Sequence, residues 1–229
     1  MYTNFHTFFV LSNINTLHTK LDPDKRFLQT VETINSIRVT APSAKIVFCE
    51  NSNVPLTGAQ ESILTSNVDL YLNYKNNLFT DYINKVGKNK GINELFVWEY
   101  MLDEAKQAGL IGARIFKISG RYQLQNTFDI NYYATPAVYN KYVFTTTDWI
   151  YNDGAGEYIK TFFNTALWSM CSSLVDNYRV LLRSMFYYMM NTGENLEMAH
   201  NHHIPRDKLI IASKVHGQGY MAGGEWTTF

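Results

Sequence analysis

Ile115-Phe-Lys-Ile-Ser-Gly-Arg-Tyr122, near the middle of the chain, decides the fold. The run from Arg114 to Ile118 predicts a short buried strand, and Ser119-Gly120 predicts the turn that ends it. In open α/β sheets ligands bind at the carboxyl ends of strands, so a turn of this kind is a binding edge. Glycine lets a backbone approach an anion, and arginine presents the planar fork that suits phosphate. Lys117 and Arg121 flank the turn and Tyr122 follows it; the plainer reading is a tight turn between two solvated charges. Alternation along a strand directs Lys117 away from the face that Phe116 and Ile118 share.

Upstream, Thr7-Phe-Phe-Val-Leu-Ser12 reads as a buried first strand. Asp22 and Pro23 open a helix as N-cap and first helical residue, with Leu28, Val31, Ile34 and Arg38 on one face and Ile37 on the apolar side. Lys45 to Cys49 is a second buried strand, with Glu50-Asn51-Ser52 at its carboxyl end, so the unit is a right-handed βαβ with a parallel pair. A helix over 57–66 and a strand over 69–72 follow, then a polar, Asn-rich loop over 73–88. Leu95, Trp98, Met101, Leu102 and Ala105 form one face of a helix over 92–108, which Gly109 caps. The order βαβαβ–loop–αβ predicts an α/β fold, a Rossmann-type, mostly parallel sheet flanked by helices.

Downstream the character changes. Residues 128–138 are aromatic and irregular, and 141–147 read as one strand that Asp148-Trp149 ends. Residues 172–190 make a long helix whose Leu174, Tyr178, Leu182, Met185 and Met189 have core spacing, and 208–212 are strand-like before a glycine-rich end. No repeat or linker divides the 229 residues, which predicts a single domain over 1–229.

Composition narrows the function classes. Lys+Arg and Asp+Glu are both 20, so the basic excess of a nucleic-acid binder is missing and nucleic acid is not expected as a partner. No stretch approaches a membrane span, the N-terminus lacks a secretory pattern, and Cys49 and Cys171 stand far apart without a CxxC motif. The expectation is a cytoplasmic protein with free thiols. The 16 Tyr and 14 Phe suit carbohydrate and base contacts as well as an aromatic core.

Three constellations carry chemistry. Lys88-Asn89-Lys90-Gly91 before a helix predicts an anion or sugar site, because helix N-termini present free N–H groups. Glu197 and His200 stand at i, i+3 on a helix with His202 beyond, which fits a metal site, a carboxylate–His acid/base pair or a solvated cluster. The glycines at 217, 219, 223 and 224 precede no helix and make no dinucleotide fingerprint, and neither GxxxxGK[ST] nor GxSxG occurs.

Together, Asn89-Lys90-Gly91 with Glu94, and Phe116-Lys-Ile-Ser-Gly-Arg-Tyr122, resemble the small bacterial and viral glycosyltransferase-like proteins, in which an "NKG…E" helix precedes a "K(I/L)(S/T)GRY" strand end. The segment Phe48-Cys-Glu50-Asn-Ser52, the Glu197 region and the glycine-containing tail fit that group more loosely. The resemblance implies a GT-A-like fold with a nucleotide-sugar-binding half over about 1–122 and an acceptor-side half over about 123–229. It implies a nucleoside-diphosphate sugar as donor, a saccharide acceptor, and glycan or surface polysaccharide synthesis. On this basis Ser12, Glu50 and Ser52 lie near the nucleoside. Asn89, Lys90, Gly91, Lys117, Ser119, Gly120, Arg121 and Tyr122 make up the rest of the donor site. A GT-A enzyme usually carries Asp-x-Asp for Mn²⁺ or Mg²⁺ after the central strand. Here that place reads Ser119-Gly120-Arg121, so Lys and Arg replace the metal's charge, the metal is held elsewhere (His200 and His202 being the candidates), or the protein binds without catalysing. Glu197 and Asp148 are the candidate bases for the acceptor hydroxyl. A methyltransferase ranks last, because Ser12-Asn-Ile-Asn15 is no glycine-rich loop.

Overall fold

The computed structural model describes residues 5–15, 22–52, 54–74, 90–152, 157–213, 216–220 and 226–228. Strand β1 (Thr7–Ser12) leads to α1 (Pro23–Thr40), β2 (Lys45–Glu50), α2 (Gly58–Asn67) and β3 (Leu70–Asn73). The Asp22 side chain caps α1 at the Asp24 amide, and Thr57 and Gln60 close a capping box on α2. Helix α3 (Lys90–Gln107) then precedes β4 (Arg114–Ser119), the expected central strand, and β5 (Tyr122–Leu124).

The seven-stranded sheet has the order β10-β6-β9-β4-β1-β2-β3. Strands β3, β2, β1 and β4 are parallel, as are β6 and β10, while β9 (Leu167–Cys171) runs against both β4 and β6. The fold is therefore mixed α/β with a mostly parallel central sheet flanked by helices. Strands β6 (Tyr142–Phe144), β9 and β10 (Leu209–Ile211) from the second half extend the sheet that the first half begins.

Alternation along β4 sorts the two layers. Phe116 and Ile118 join Phe8, Val10 and Ile34 beneath α1 and α2. Ile115 joins Phe9, Trp98 and Trp168 under α3, α4 (Val175–Thr192) and α5 (Leu196–His203). Lys117 leaves β4 on this second side, opposite to Phe116 and Ile118 as alternation predicts.

Several sequence expectations are corrected. The predicted strand over 141–147 divides at Thr145. Its first part is β6, and the rest belongs to β7 (Thr146–Asn152), which pairs with β8 (Glu157–Phe163) as a separate hairpin. A β-branched, aromatic run carries no signal for such a change of partner. The glycine-rich end supplies β11 (Gly217–Tyr220) and β12 (Trp226–Thr228), which join β5 in a three-stranded sheet. On α1 the buried positions are Arg26, Thr30, Thr33, Ile34 and Ile37, whereas Leu28 is 58% exposed. Ile34 and Ile37 face the sheet as expected and Val31 packs beside them, whereas Leu28 turns outward and Arg26, Thr30 and Thr33 complete the buried stripe. The Asn-rich loop reading falls mostly on residues 75–89, outside the described residues.

Candidate functional site at the carboxyl end of β4

Strands β1 to β4 end along one edge, and several of the buried polar groups without a partner among the described residues lie there. They include the Oδ1 atoms of Asn13, Asn51 and Asn73 after or at the ends of β1, β2 and β3, and the Nε of Arg121 after β4. From α1 come Arg26 Nε and Gln29 Oε1. Native interiors leave few such groups unpaired, so their concentration at one edge needs a physical cause.

On the α1 side of β4, Gly120 fixes the geometry. Its amide donates to the Leu11 carbonyl at 2.7 Å, and its own carbonyl accepts from the Thr30 hydroxyl at 2.9 Å. Ser12 closes the knot with its hydroxyl 3.0 Å from that of Thr30. A Cβ on Gly120 would lie 2.9 Å from the Ser12 side chain, so only glycine lets the β4 turn sit this close to α1. Arg26 lies one turn before Thr30, 7% exposed. Burial and the neighbouring positive charge of Arg121 push its guanidinium down to about 10. Arg121 itself rests over the Tyr122 ring, 5.2 Å from its centroid.

Glu50 and Ser52 hold the loop after β1. Glu50 Oε1 accepts from the Ile14 amide at 3.1 Å and from the Ser52 hydroxyl, which in turn accepts from the Asn15 amide at 2.7 Å. Both residues, like Ser12, are placed at the expected strand ends and shape the edge from beneath.

On the α3 side the arrangement is saturated. Lys117 is 1% exposed, and its ammonium donates to Ser119 Oγ at 2.8 Å and to the Thr165 carbonyl at 2.5 Å and pairs with the Glu94 carboxylate, 2.9 Å away. Two hydrogen bonds and one ion pair thus occupy the charge from inside the fold. Lys117 and Ser119 thus do not face a diphosphate as the sequence led us to expect; they tie β4 to α3 and to the turn before β9. The Thr165 hydroxyl donates to Glu197 Oε1 at 2.7 Å, which orients that carboxylate on α5 at the same edge.

Other expected residues are placed elsewhere. Gly91 is a packing residue, since a Cβ there would come within 2.9 Å of Leu196 Cβ and Met189 Cε. The start of α3 abuts the start of α5, and this contact replaces the expected anion site as the reason for the glycine. Asn89 and the side chain of Lys90 lie outside the described residues. The Tyr122 ring is buried in the layer under α1, where it supports the Arg121 guanidinium. Asp148 lies within β7 and not at a strand end; it is exposed and accepts from the Thr161 hydroxyl at 2.6 Å across the hairpin.

The expected metal pair does not form. His200 is buried, and its Nδ1 lies 2.9 Å from the Leu196 carbonyl, which can only accept. Nδ1 therefore carries the proton, and Nε2 accepts from the Tyr178 hydroxyl at 2.9 Å. Burial pushes the imidazole down to about 4. His202 instead stacks on Tyr188 with ring centroids 4.8 Å apart. Nor does the β4 edge fit the divalent cation that the resemblance implies. Ser119, Gly120 and Arg121 stand where Asp-x-Asp is expected, Arg26 adds a second positive charge, and among the described residues no three His, Cys, Asp or Glu side chains gather as ligands.

Sequence reasoning missed Arg26, Thr30, Glu94 and Thr165 as parts of this edge. Arg26, Thr30, Thr33 and Ile37 do recur at helical spacing, so a search for polar as well as apolar periodicity would have found the first two.

No protein-family model matches the sequence, and no curated protein does. Solved structures similar to the chain include a glycosyltransferase involved in the glycosylation of the major capsid of PBCV-1 (TM-score 0.49, 9% identity, covering 91% of this chain and 81% of that one). An active-site mutant of LgtC is similar at TM-score 0.49 and 9% identity over 90% of this chain and 72% of that one. A 4-diphosphocytidyl-2C-methyl-D-erythritol synthase from Anaerococcus prevotii gives 0.45 and 9% over 91% and 86%. At these identities the site has to be read from this chain's own geometry.

Proposed function

We propose that the chain is a glycosyltransferase that moves a sugar from a nucleoside-diphosphate donor to a hydroxyl of a saccharide or similar acceptor. One observation carries the reading. At the end of β4, two guanidinium groups whose buried Nε atoms have no partner among the described residues stand on one side and an oriented carboxylate, Glu197, on the other. Glycosyl transfer needs both, because charge builds on the departing diphosphate while a proton leaves the attacking hydroxyl.

In an inverting course the acceptor oxygen attacks the anomeric carbon as the carbon–oxygen bond to the β-phosphate breaks. The electron pair leaves with the phosphate oxygen, and the hydroxyl proton passes to Glu197. The Thr165 hydroxyl fixes one oxygen of that carboxylate and directs the other to the acceptor. Asp148 takes no part, since it sits on the β7–β8 hairpin. The strand ends of the first half, where Asn13 and Asn51 offer buried acceptors, would receive the nucleoside, and the second half would bind the acceptor. The buried free thiols Cys49 and Cys171 accord with a cytoplasmic setting, and no described helix is long and apolar enough to cross a membrane.

The test is nucleoside-diphosphate release from a panel of UDP- and GDP-sugars, with and without saccharide acceptors. Wild type and Asp148→Asn are expected to turn over alike, and Glu197→Gln to fall by about a hundredfold or more. Background rates in all three, with the donor still bound, would make the protein a non-catalytic carbohydrate- or nucleotide-binding relative.

A further inference from the structure

We infer that Arg26 and Arg121 form a two-guanidinium clamp that takes the diphosphate of the donor, in the place where the resemblance would put a divalent cation. The inference deepens the proposed function by assigning the charge partner of the leaving group.

Three features of the molecule carry it. The Nε atoms of both arginines are buried without a partner among the described residues, and the Arg26 side chain is more than nine-tenths buried. Two neighbouring charges of like sign in a buried setting repel, by more than the buried Glu50 carboxylate near Arg26 offsets, so an anion between them relieves the repulsion. The pair is also held together by the chain itself. The Thr30 hydroxyl lies between two carbonyls, that of Gly120 in the β4 turn at 2.9 Å and that of Arg26 one turn back along α1 at 3.0 Å, and shares its one proton between them. The residue that follows Gly120 is therefore brought to the helix turn that carries Arg26.

The chemistry selects the ligand class. Guanidinium forks meet phosphate oxygens with paired, charge-assisted hydrogen bonds, and a diphosphate offers one oxygen set to each fork. Lys117, the β4 cation next to this turn, is engaged with Glu94, Ser119 and Thr165 and does not compete. A divalent cation is repelled by the same two charges that attract the anion.

The experiment is calorimetric titration of the full chain with inorganic pyrophosphate, UDP and uridine, all in excess EDTA. Pyrophosphate and UDP are expected to bind at least about tenfold more tightly than uridine, since charge-assisted bonds add to the phosphates alone. Arg26→Gln and Arg121→Gln should each weaken both anions about tenfold or more, and Arg26→Gln should melt no lower than wild type, because it removes a charge that burial and Arg121 both disfavour. Anion binding that needs added Mn²⁺, or affinities unchanged in both variants, would overturn the clamp. Should Arg26→Gln fail to fold, the reading of its charge as disfavoured is overturned, and Arg121→Gln alone decides whether the turn contacts phosphate. Arginine-dependent pyrophosphate binding by a protein that cleaves no sugar nucleotide would keep the clamp and remove the transferase reading. Transfer at wild-type rate in both variants would do the reverse.

Discussion

Two buried cations stand on opposite sides of one strand end, and their surroundings differ. Lys117, under α3, has two hydrogen-bond acceptors and a carboxylate around its ammonium. Arg26, on the buried face of α1, has a buried Nε with no partner among the described residues and a second guanidinium for a neighbour. Both are charges in a low-dielectric setting, so desolvation opposes both. Where the partners are internal, the charge belongs to the architecture. Where they are missing, the charge awaits something from outside. The sequence writes one as a basic residue in a helix and the other as a basic residue before a turn, and only the folded surroundings tell their roles apart.

The sharpest way to break this comparison is Lys117→Met. It leaves Glu94, 26% exposed, facing the interior without its cation, and should cost about 3–4 kcal/mol of unfolding free energy. Urea denaturation with an unchanged midpoint would show that the saturated side is not structural. The double variant Lys117→Met/Glu94→Leu should recover most of the loss, because no charge is then stranded.

A second probe uses His200, which sits behind the saturated side. Its folded pKa of about 4 lies below its unfolded value of about 6.5, so the unfolded chain takes up the proton first as pH falls. Stability is then full above about pH 6.5 and declines toward pH 4, by about 2–3 kcal/mol in all. Unfolding curves at pH 7.0 and 4.5 measure this, and His200→Gln should flatten that part of the profile. A wild-type profile already flat would mean that the imidazole is not held neutral by burial.

The smallest expected effect belongs to Gly91→Ala. The added methyl must displace Leu196 and Met189, for about 1–2 kcal/mol of thermal stability. Since α5 carries Glu197, the same variant should lower donor cleavage more than nucleotide affinity. An equal loss of both would place Gly91 at the nucleotide after all.

Much of the first half was legible in the sequence. Alternating and unbroken apolar runs gave β1, β2 and β4, and the caps at Asp22 and Thr57 gave the starts of α1 and α2, because these depend on contacts only a few residues apart. The second half was less legible. Residues 141–152 change from one sheet to a hairpin at Thr145, and the tail returns to pair with β5, nearly a hundred residues away in the chain. Pairing over that distance leaves no local mark. The site behaved in the same way. The places of Arg121 at the edge and of Glu197 on its helix followed from position alone, whereas the hairpin around Asp148, the packing of Gly91 on Leu196 and the separate partners of His200 and His202 did not.

The sequence by itself determined that β4 ends in a Ser-Gly-Arg turn, that Lys117 points to one face and that acidic Asp-x-Asp is missing there. It could not determine which of the basic residues is spent. That depends on Glu94, Thr165 and Thr30, which lie in other elements and reach the turn only when the layers close on the sheet. Charge is a property of a residue, but whether the charge is satisfied is a property of the fold.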